Sequence, residues 1–468
     1  MSPLDLARAS LIATLPFALC ACGEGESTLS GKPRLVVWVE VDTLRADALG
    51  CYGAGLLAME QPGSQGSVTP NLDQLAKEGM LFDAAYSTAP WTLPSLASAL
   101  TGKWPWEHGT TRLLGTLSEG HVTLPERLQS AGFRTGGVMT NFVATANYGF
   151  AQGFDQWDDS LAQGHEGSTA EMAVAKMLAQ YDSLSESKDP VFLFGLFFEP
   201  HWRYEAHGAP GLDPTPGGLV ETTEDIWELR EALSRGELSA NDLRDLRRVY
   251  AGEVAKVDTA IGKLFDGLKE RGAWEDAVVL FTADHGELLG ERGWIGHTVT
   301  LTDELVRVPM ILRVPIAGGT LRAGETIATP VSQVDLHSTL LELAGAPLAA
   351  DAKITSRSFS KLLFKEGVGA QREDLFLHVD FEPHLQSAEA RGKRTLQWGV
   401  VKASDGTKWT VDHLAEGGPK GTLVDTTRDR TETTNWADEK SELELAEYWR
   451  LQGLVPRALG EERGERPR

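Results

Sequence analysis

The sequence predicts an α/β protein built on a mostly parallel sheet, because short apolar runs alternate along it with amphipathic helical segments. Four runs have the composition of strands that are covered on both faces: residues 35–41, 191–198, 277–282 and 309–314. The longest helical segment repeats its apolar positions at three- and four-residue spacing over residues 243–268. Two shorter helices begin near proline and end at glycine, at residues 70–79 and 125–132.

The pattern changes beyond about residue 365 to short strand-like runs separated by turns, including residues 395–401 and 408–411. We therefore expect a smaller α+β domain with an antiparallel sheet over residues 366–455, followed by a flexible tail over residues 456–468. A Pro/Gly-rich loop at residues 208–218 and the polar helical stretch after it are predicted to be an insertion in the larger domain.

The first 22 residues have the pattern of an export signal. Arg8 precedes an apolar run that is too short to span a bilayer. Residues 19–22 (LCAC) are similar to a bacterial lipobox, which predicts a lipid on Cys22 and a tether over residues 23–33. The predicted location is thus the bacterial cell envelope, periplasmic or surface-facing, with the membrane contacted through Cys22. A plain signal peptide without lipid is the alternative.

The charge balance argues against one class of function. The 468 residues include 67 acidic and 44 basic side chains, for a net charge of −23. Nucleic-acid binding would require a basic surface, so no nucleic-acid partner is expected. A small anionic substrate stays possible, because a local cationic pocket can lie within an acidic surface. The three cysteines, Cys20, Cys22 and Cys51, do not suggest a disulfide framework.

Acidic and imidazole side chains follow three of the predicted strands. Asp42 and Thr43 follow the first strand, His201 comes shortly after the second, and Asp284 and His285 come after the third. Ligands of open α/β sheets bind beyond the carboxyl ends of the strands. A single aspartate in such a place is more often a turn or cap residue. Three such strand ends together predict a metal site.

A fourth element is the stretch at residues 89–102 (APWTLPSLASALTG). Pro94 suits the first turn of a helix, so Thr92 is predicted at or just before a helix N-terminus. The helix dipole and the free N–H groups stabilise negative charge there. Taken alone, Thr92 is as well explained as a simple helix cap.

Taken together, these segments resemble the sulfatase family. The resemblance is carried in order by residues 39–53 (VEVDTLRADALGCYG), 69–79 (TPNLDQLAKEG), 89–109, 283–287 (ADHGE) and 303–309 (DELVRVP). It implies an alkaline-phosphatase-like α/β/α sandwich as the catalytic domain, over residues 34–365, with the small antiparallel-sheet domain at its C-terminus. It further implies hydrolysis of a sulfate, phosphate or phosphonate ester at one divalent metal ion, namely calcium, magnesium or manganese, with zinc possible.

The resemblance also implies roles for individual residues. The implied metal ligands are Asp42, Thr43, Thr92, Asp284 and His285. The implied catalytic residues are Thr92, His201 and His297, and the implied substrate-binding residues are Asn141, His201 and His297. Glu287 is expected to orient His285 or its loop.

The sequence departs from the family pattern at positions that matter for catalysis. Thr92 stands where sulfatases carry the Cys or Ser that is oxidised to formylglycine, and no formylglycine is expected because threonine is a secondary alcohol. Leu96 replaces an arginine, and Thr43 replaces the second aspartate of the usual pair. Each change removes a charge from a site that stabilises an anionic transition state.

Three functions are consistent with these residues. In the first, Thr92 is the nucleophile, as in a phosphoester hydrolase or a phosphoethanolamine-type transferase, and His297 or His201 protonates the leaving oxygen. In the second, a bound water attacks the ester and Thr92 is a spectator. In the third, the chain is a lipid-anchored protein that binds an anionic glycan or lipid without cleaving it. His207, together with His201 and His297, is a further candidate ligand if a second ion binds.

Overall fold

The computed structural model describes residues 32–53, 56, 67–113, 115–163, 170–205, 207, 211–315, 321–348, 354–365, 372–381, 394–404, 406–415 and 420–432. The predicted signal peptide with Cys22, residues 23–31 of the predicted tether and the predicted tail lie outside the described residues.

The strands fall into one large sheet and smaller sheets. In chain order they are β1 (Leu35–Val41), β2 (Met80–Phe82), β3 (Ala85–Tyr86), β4 (Arg134–Met139), β5 (Gln156–Asp158), β6 (Val191–Phe197), β7 (Ala277–Ala283), β8 (Leu288–Leu289), β9 (Ile295–Gly296), β10 (Arg307–Val308), β11 (Met310–Arg313), β12 (Thr326–Ile327), β13 (Val331–Ser332), β14 (Asp374–Phe381), β15 (Thr395–Lys402), β16 (Thr407–Asp412) and β17 (Lys420–Asp425).

The helices range from single turns to one of 31 residues. In chain order the α-helices are α1 (Pro70–Glu78), α2 (Thr92–Thr101), α3 (Pro105–His108), α4 (Leu124–Ser130), α5 (Ala170–Ser185), α6 (Leu219–Thr222), α7 (Ile226–Ser234), α8 (Ala240–Glu270), α9 (Asp303–Val306) and α10 (Leu336–Leu343). Short 3-10 helices cover Ala46–Ala48, Gly50–Tyr52, Phe142–Ala144, Ala146–Tyr148, Glu291–Gly293, Gln333–Asp335 and Ser360–Leu363. No helix among the described residues combines the length and apolar character needed to cross a bilayer.

The large sheet has eight strands in the order β12-β2-β11-β7-β1-β6-β4-β5. Its central strands β7, β1, β6, β4 and β5 are parallel, and β11 is antiparallel to its neighbours β7 and β2. The four strands predicted from apolar runs are confirmed as β1, β6, β7 and β11, each ending within one residue of its predicted limits. All seven residues of β1 are buried, as expected for a central strand that is covered on both faces.

The helices pack in two groups around the large sheet. One group contains α1, α5 and α8, and the other contains α2, α4 and α10. The predicted long helix is confirmed as α8, and it begins earlier than the periodicity indicated because Ser239 and Asp242 form a capping box at its N-terminus. The predicted α/β/α layering is thereby confirmed. Helices α6 and α7 follow the Pro/Gly-rich loop, in the predicted insertion.

The small antiparallel sheet has the order β14-β15-β16-β17 and lies against the larger domain. Trp104 and Trp106 stack on each other, with ring centroids 5.5 Å apart, and Trp106 contacts Trp398 of β15 at 5.0 Å. These two tryptophans therefore join the domains. The predicted small C-terminal sheet is confirmed, while its limits at residues 366 and 455 stay a prediction.

A buried ion triad also joins the two parts of the chain. Lys408 of β16 is fully buried, and its ammonium lies 2.9 Å from Asp303 and 2.7 Å from Glu432. Asp303 is the first residue of α9 in the larger domain. The triad thus fixes the orientation of the small sheet through three charges that are shielded from water.

Lys408→Ala is expected to lower the free energy of unfolding by about 3–5 kcal/mol, because it leaves two carboxylates buried without a cation. Denaturant unfolding followed by circular dichroism measures the change. Lys420→Ala on the neighbouring strand β17 is the control, since Lys420 is exposed, and a change within about 0.5 kcal/mol is expected for it. Equal effects of the two substitutions would show that the triad adds no net stability.

Candidate active site

Parallel strands of the large sheet end at the same edge, and three of them bring distant residues together there. Asp284 directly follows β7, Asp42 directly follows β1, and Asn141 lies two residues after β4. One possible ligand atom from each of Asp42, Asp284 and His285 lies within 4.8 Å of the other two, and all three residues are buried. The strand-end pattern in the sequence thus predicted this convergence correctly.

The three side chains face one another through oxygen and nitrogen atoms that can serve as metal ligands. His285 Nε2 lies 3.6 Å from Asp42 Oδ1 and 3.5 Å from Asp284 Oδ2. His285 Nδ1 lies 2.8 Å from the carbonyl oxygen of Gly286, which places the proton on Nδ1 and leaves a lone pair on Nε2. Neither of these two carboxylate oxygens has a hydrogen-bond partner among the described residues.

The electrostatics of this cluster favour a cation at its centre. Burial and the neighbouring carboxylate of Asp284 raise the pKa of Asp42 well above its ordinary value, and burial raises the pKa of Asp284 to about 7. Burial and the nearby His297 lower the pKa of His285 well below its ordinary value. Two buried carboxylates and a neutral imidazole are unfavourable together without a positive charge. These donors therefore fit a divalent metal ion.

The loop after β1 is held in an uncommon conformation. Thr43 has a φ of 54°, in the left-handed region that a β-branched residue rarely adopts. Its N–H donates to Asp284 Oδ1 over 3.2 Å, and its carbonyl oxygen accepts from the hydroxyl of Tyr250 on α8 over 2.8 Å. The Tyr250 hydroxyl accepts in turn from the N–H of Arg45. The long helix thereby fixes the loop that carries Asp42.

The structure gives Thr43 a backbone contact in the cluster, whereas its predicted role as a ligand depends on the side chain. The Thr43 hydroxyl is buried and has no hydrogen-bond partner among the described residues. Metal ligation by this hydroxyl stays a prediction.

Thr92 lies beside the cluster, at the first position of α2. Its side chain oxygen is 3.4 Å from His285 Nε2 and 3.3 Å from Asn141 Nδ2. Asn141 Nδ2 also donates to Asp42 Oδ2 over 2.5 Å. The helix N-terminus and the Asn141 amide both stabilise negative charge at this oxygen. A hydroxyl in this position is suited to nucleophilic attack.

Glu287 contacts a different histidine from the one expected. It is fully buried, and its Oε1 lies 2.9 Å from Nδ1 of His297, while Oε2 accepts from the hydroxyl of Tyr204 over 3.1 Å. The proton of His285 Nδ1 is accepted by the backbone oxygen of Gly286 and not by Glu287, while a role for Glu287 in orienting the loop of His285 stays a prediction. The hairpin of β8 and β9 instead returns the chain so that His297 meets Glu287.

His201 and His297 line the same cavity as Thr92. The two imidazole rings are 5.2 Å apart, and His297 lies 4.6 Å from the ring of His285. His207, the further candidate ligand, instead has its Nε2 2.9 Å from Glu253 of α8 and is absent from the described lining of this cavity. The structure therefore brings His201 and His297 to the cluster but not His207.

The cavity has a volume of about 330 Å³ and mixed walls. Its described lining consists of Trp91, Thr92, Leu113, Asn141, Phe142, Val143, His201, Trp202, Ile226, Trp227, Arg230, His297, Thr298 and Phe381. Sequence reasoning did not identify Arg230, because no motif marks the inserted helix α7. Trp91, the residue before Thr92, is in this lining, whereas Trp104 and Trp106 are not in its described part.

Glu287→Gln is expected to lower kcat by about 10- to 100-fold, because the neutral amide no longer stabilises a positive charge on His297. Steady-state kinetics on the best substrate measure the loss. Tyr204→Phe removes the other hydrogen bond of Glu287 and should change kcat less than Glu287→Gln does. An unchanged kcat in Glu287→Gln would show that catalysis does not depend on the charge of Glu287.

The fold and the site together define an α/β protein with a buried acidic centre and an adjacent hydroxyl at the carboxyl edge of its sheet. The family model described as Sulfatase matches residues 34–346. The chain therefore belongs to the sulfatase family. The predicted family and the predicted sulfatase-like class of ester hydrolase are both confirmed.

Curated relatives and solved structures are similar over most of the chain. An N-acetylglucosamine-6-O-sulfatase of Bacteroides thetaiotaomicron is 24% identical over 76% of this chain and 75% of its own, and a choline-sulfatase of Rhizobium meliloti is 26% identical over 68% and 69%. The phosphonate monoester hydrolase of Agrobacterium radiobacter aligns with a TM-score of 0.66 at 19% identity, over 92% of this chain and 96% of its own. At that identity the structural likeness establishes the fold alone.

Proposed function

We propose that this protein is a metal-dependent hydrolase of a sulfate, phosphate or phosphonate ester and that Thr92 is its nucleophile. The supporting observation is the position of the Thr92 oxygen, 3.4 Å from His285 Nε2 at the N-terminus of α2. The relatives named as sulfatases and the similar phosphonate monoester hydrolase support the same range of esters.

Asp42, Asp284 and His285 would hold the metal ion, with the hydroxyls of Thr92 and Thr43 as further ligands. A bound divalent cation supplies a Lewis acid that polarises the ester and lowers the pKa of a hydroxyl group. One imidazole nitrogen in the set favours zinc or manganese over calcium, which prefers oxygen ligands throughout.

Side chains of this protein perform the remaining steps of the proposed reaction. Thr92 loses its hydroxyl proton to water, and the oxygen then attacks sulfur or phosphorus. The amide of Asn141 and the N-terminus of α2 stabilise the negative charge of the bound ester. His297, held by Glu287, gives its proton to the leaving oxygen, and His201 lies close enough to share this role. The alcohol leaves with that proton, and the transferred group remains on the Thr92 oxygen. Water then cleaves this second ester, which restores the threonine hydroxyl and releases sulfate, phosphate or phosphonate.

A substrate panel tests the proposal. The purified protein is assayed on 4-nitrophenyl sulfate, 4-nitrophenyl phosphate, bis(4-nitrophenyl) phosphate and 4-nitrophenyl phenylphosphonate, before and after treatment with a chelator. Turnover of at least one ester is expected, with loss upon chelation and recovery when manganese or zinc is added. Rapid quenching followed by mass spectrometry should find the transferred group on the Thr92 peptide. Metal binding without turnover of any ester would favour the alternative of a protein that only binds an anionic glycan or lipid.

We further propose that the protein is exported and anchored by a lipid on Cys22. The proposal is supported by the lipobox-like residues 19–22. Metabolic labelling with radioactive palmitate in a bacterial host should label the wild-type protein and not Cys22→Ala. Labelling of neither protein would favour a plain signal peptide, and labelling of both would show that the lipid is not on Cys22.

A further inference from the structure

Arg230 is the cationic side chain in the described lining of the cavity. It lies on the inserted helix α7, and its guanidinium stacks between Trp227, at 4.3 Å, and Trp294, at 5.0 Å. Its Nε donates to the carbonyl oxygen of Ile295. The side chain is therefore held in a fixed orientation by two indole rings and a backbone hydrogen bond.

The guanidinium packs against the backbone of the residue that precedes the proposed general acid, His297. Gly296, the residue before His297, approaches it so closely that a Cβ at Gly296 would overlap the guanidinium nitrogen Nη2. His297 is proposed to protonate the leaving oxygen, so the organic group of the substrate leaves on this side of the cavity. Arg230 lines the same cavity as Thr92 and His297, and its place beside Gly296 assigns it to the leaving-group side of that cavity.

The charge of Arg230 lacks a direct counterion within the described part of the chain. No carboxylate there lies within ion-pair distance of its guanidinium, whereas the exposed Arg235, which directly follows the same helix, is paired with Glu231 and Glu237. The carboxylates that act electrostatically on Arg230 are those of Glu287 and Asp225. The two oxygens of Glu287 contact His297 and Tyr204 instead. Burial lowers the pKa of Arg230 to about 10, so the side chain remains charged at neutral pH. A partly buried cation without a direct partner is a place for an anionic ligand group.

The other walls of this part of the cavity are apolar. They are formed by Leu113, Phe142, Val143, Trp202, Ile226, Trp227 and Phe381. The polar lining is otherwise confined to the residues beside the acidic cluster, together with Thr298. A sugar ring would leave most of its hydroxyl groups without partners against such walls, whereas an aromatic ring has none to satisfy. The volume of about 330 Å³ accommodates one such ring with its ester.

We propose that Arg230 is a specificity-determining residue that binds a carboxylate on the organic group of the substrate, and that this group is a single aromatic ring. The preferred substrate class is then the ester of a hydroxyaryl carboxylic acid. The inference rests on the proposed function for the identity of the reacting bond, and it adds the recognition of the leaving group.

Two matched esters test the inference, both of the type that the substrate panel identifies. One carries a 4-carboxyphenyl group and the other a 4-carbamoylphenyl group, which has nearly the same shape but no charge. The wild-type protein should prefer the carboxylate by about tenfold or more in kcat/KM, because a charge-assisted guanidinium contact replaces a neutral one. Arg230→Met should bring the ratio close to one, and Arg230→Lys should give an intermediate ratio because a lysine keeps the charge but not the planar donor pair. Arg235→Gln is the control and should keep the wild-type ratio.

A binding measurement separates this inference from the proposed function. The affinities for 4-hydroxybenzoate and 4-hydroxybenzamide are compared by calorimetry and by quenching of tryptophan fluorescence, neither of which requires turnover. Preferred binding of the benzoate that is lost in Arg230→Met would support the inference even if no ester is cleaved. Equal affinities of the wild-type protein for the benzoate and the benzamide would overturn the inference. The same preference for the benzoate in Arg230→Met as in the wild-type protein would also overturn it. Neither result would bear on the proposed hydrolysis. Thermal melts establish whether each variant is folded. If Arg230→Met does not fold, the comparison of Arg230→Lys with the wild-type protein tests the inference.

Discussion

Thr92→Ala is expected to lower kcat by at least about 10³-fold on the best ester of the panel, because the substitution removes the attacking oxygen and leaves the rest of the site in place. Thr92 contacts His285 and Asn141 through this oxygen, and it begins helix α2 without serving as its N-cap. The free energy of unfolding should therefore change little. The measurements are steady-state kinetics, metal content and thermal unfolding of the two proteins.

Two further variants sharpen this result. Thr92→Ser keeps a hydroxyl at the same position and should retain far more activity than Thr92→Ala. Thr101→Ala removes a buried hydroxyl at the other end of the same helix and should leave kcat nearly unchanged. Substantial activity in Thr92→Ala with normal metal content would assign the attack to a bound water and make Thr92 a spectator.

Asp284→Asn is expected to remove the activity and to raise the melting temperature of the metal-free protein. The asparagine oxygen can still accept from the N–H groups of His285 and Thr43, which Asp284 Oδ1 accepts now. The negative charge that repels Asp42 disappears at the same time. We expect a loss of activity of at least about 100-fold, a weaker metal affinity and, in chelator, a gain of about 2 °C or more.

The gain in melting temperature of metal-free Asp284→Asn should increase with pH. The pKa of Asp284 is about 7 in the folded protein, against about 3.9 for an unfolded aspartate. A carboxyl group whose pKa is raised by folding destabilises the protein fully above the folded value, and this penalty disappears as the pH falls towards the unfolded value. The difference in melting temperature should thus be larger at pH 8 than at pH 5.

The control lies at the other end of the same strand. Asp276 is exposed, one residue before β7 begins, so Asp276→Asn should change neither the activity nor the melting temperature by a comparable amount. A lower melting temperature of metal-free Asp284→Asn at pH 8 would show that the two carboxylates do not oppose folding.

The convergence of the acidic cluster was predictable because it follows from the sheet alone. Parallel neighbouring strands end at one edge, so residues directly after β1 and β7 lie close together whatever the rest of the chain does. Asp42, Asp284 and His285 have such positions. Thr92 was predictable for a second local reason, since Pro94 indicates the start of a helix.

The residues that sequence reasoning missed depend on contacts between distant elements. The contact of Glu287 with His297 follows from how the β8–β9 hairpin folds back, and no spacing rule encodes that geometry. Tyr250 was predicted only as an apolar core position of the long helix, yet its hydroxyl binds the loop after β1. Arg230 lies on an inserted helix whose placement over the cavity has no local signature. The sequence pattern thus predicts strand ends and helix starts better than it predicts the contacts that inserted segments make.

The aromatic contact between Phe381 and Trp91 links the candidate active site to the small C-terminal sheet, which supplies none of the proposed catalytic residues. Phe381 ends β14 of the small sheet, and its ring lies 5.3 Å from that of Trp91, the residue before Thr92. Both rings line the cavity. A substitution at Phe381 can therefore change the wall that a substrate contacts without touching the acidic centre, so the small sheet offers a separate place to alter substrate preference.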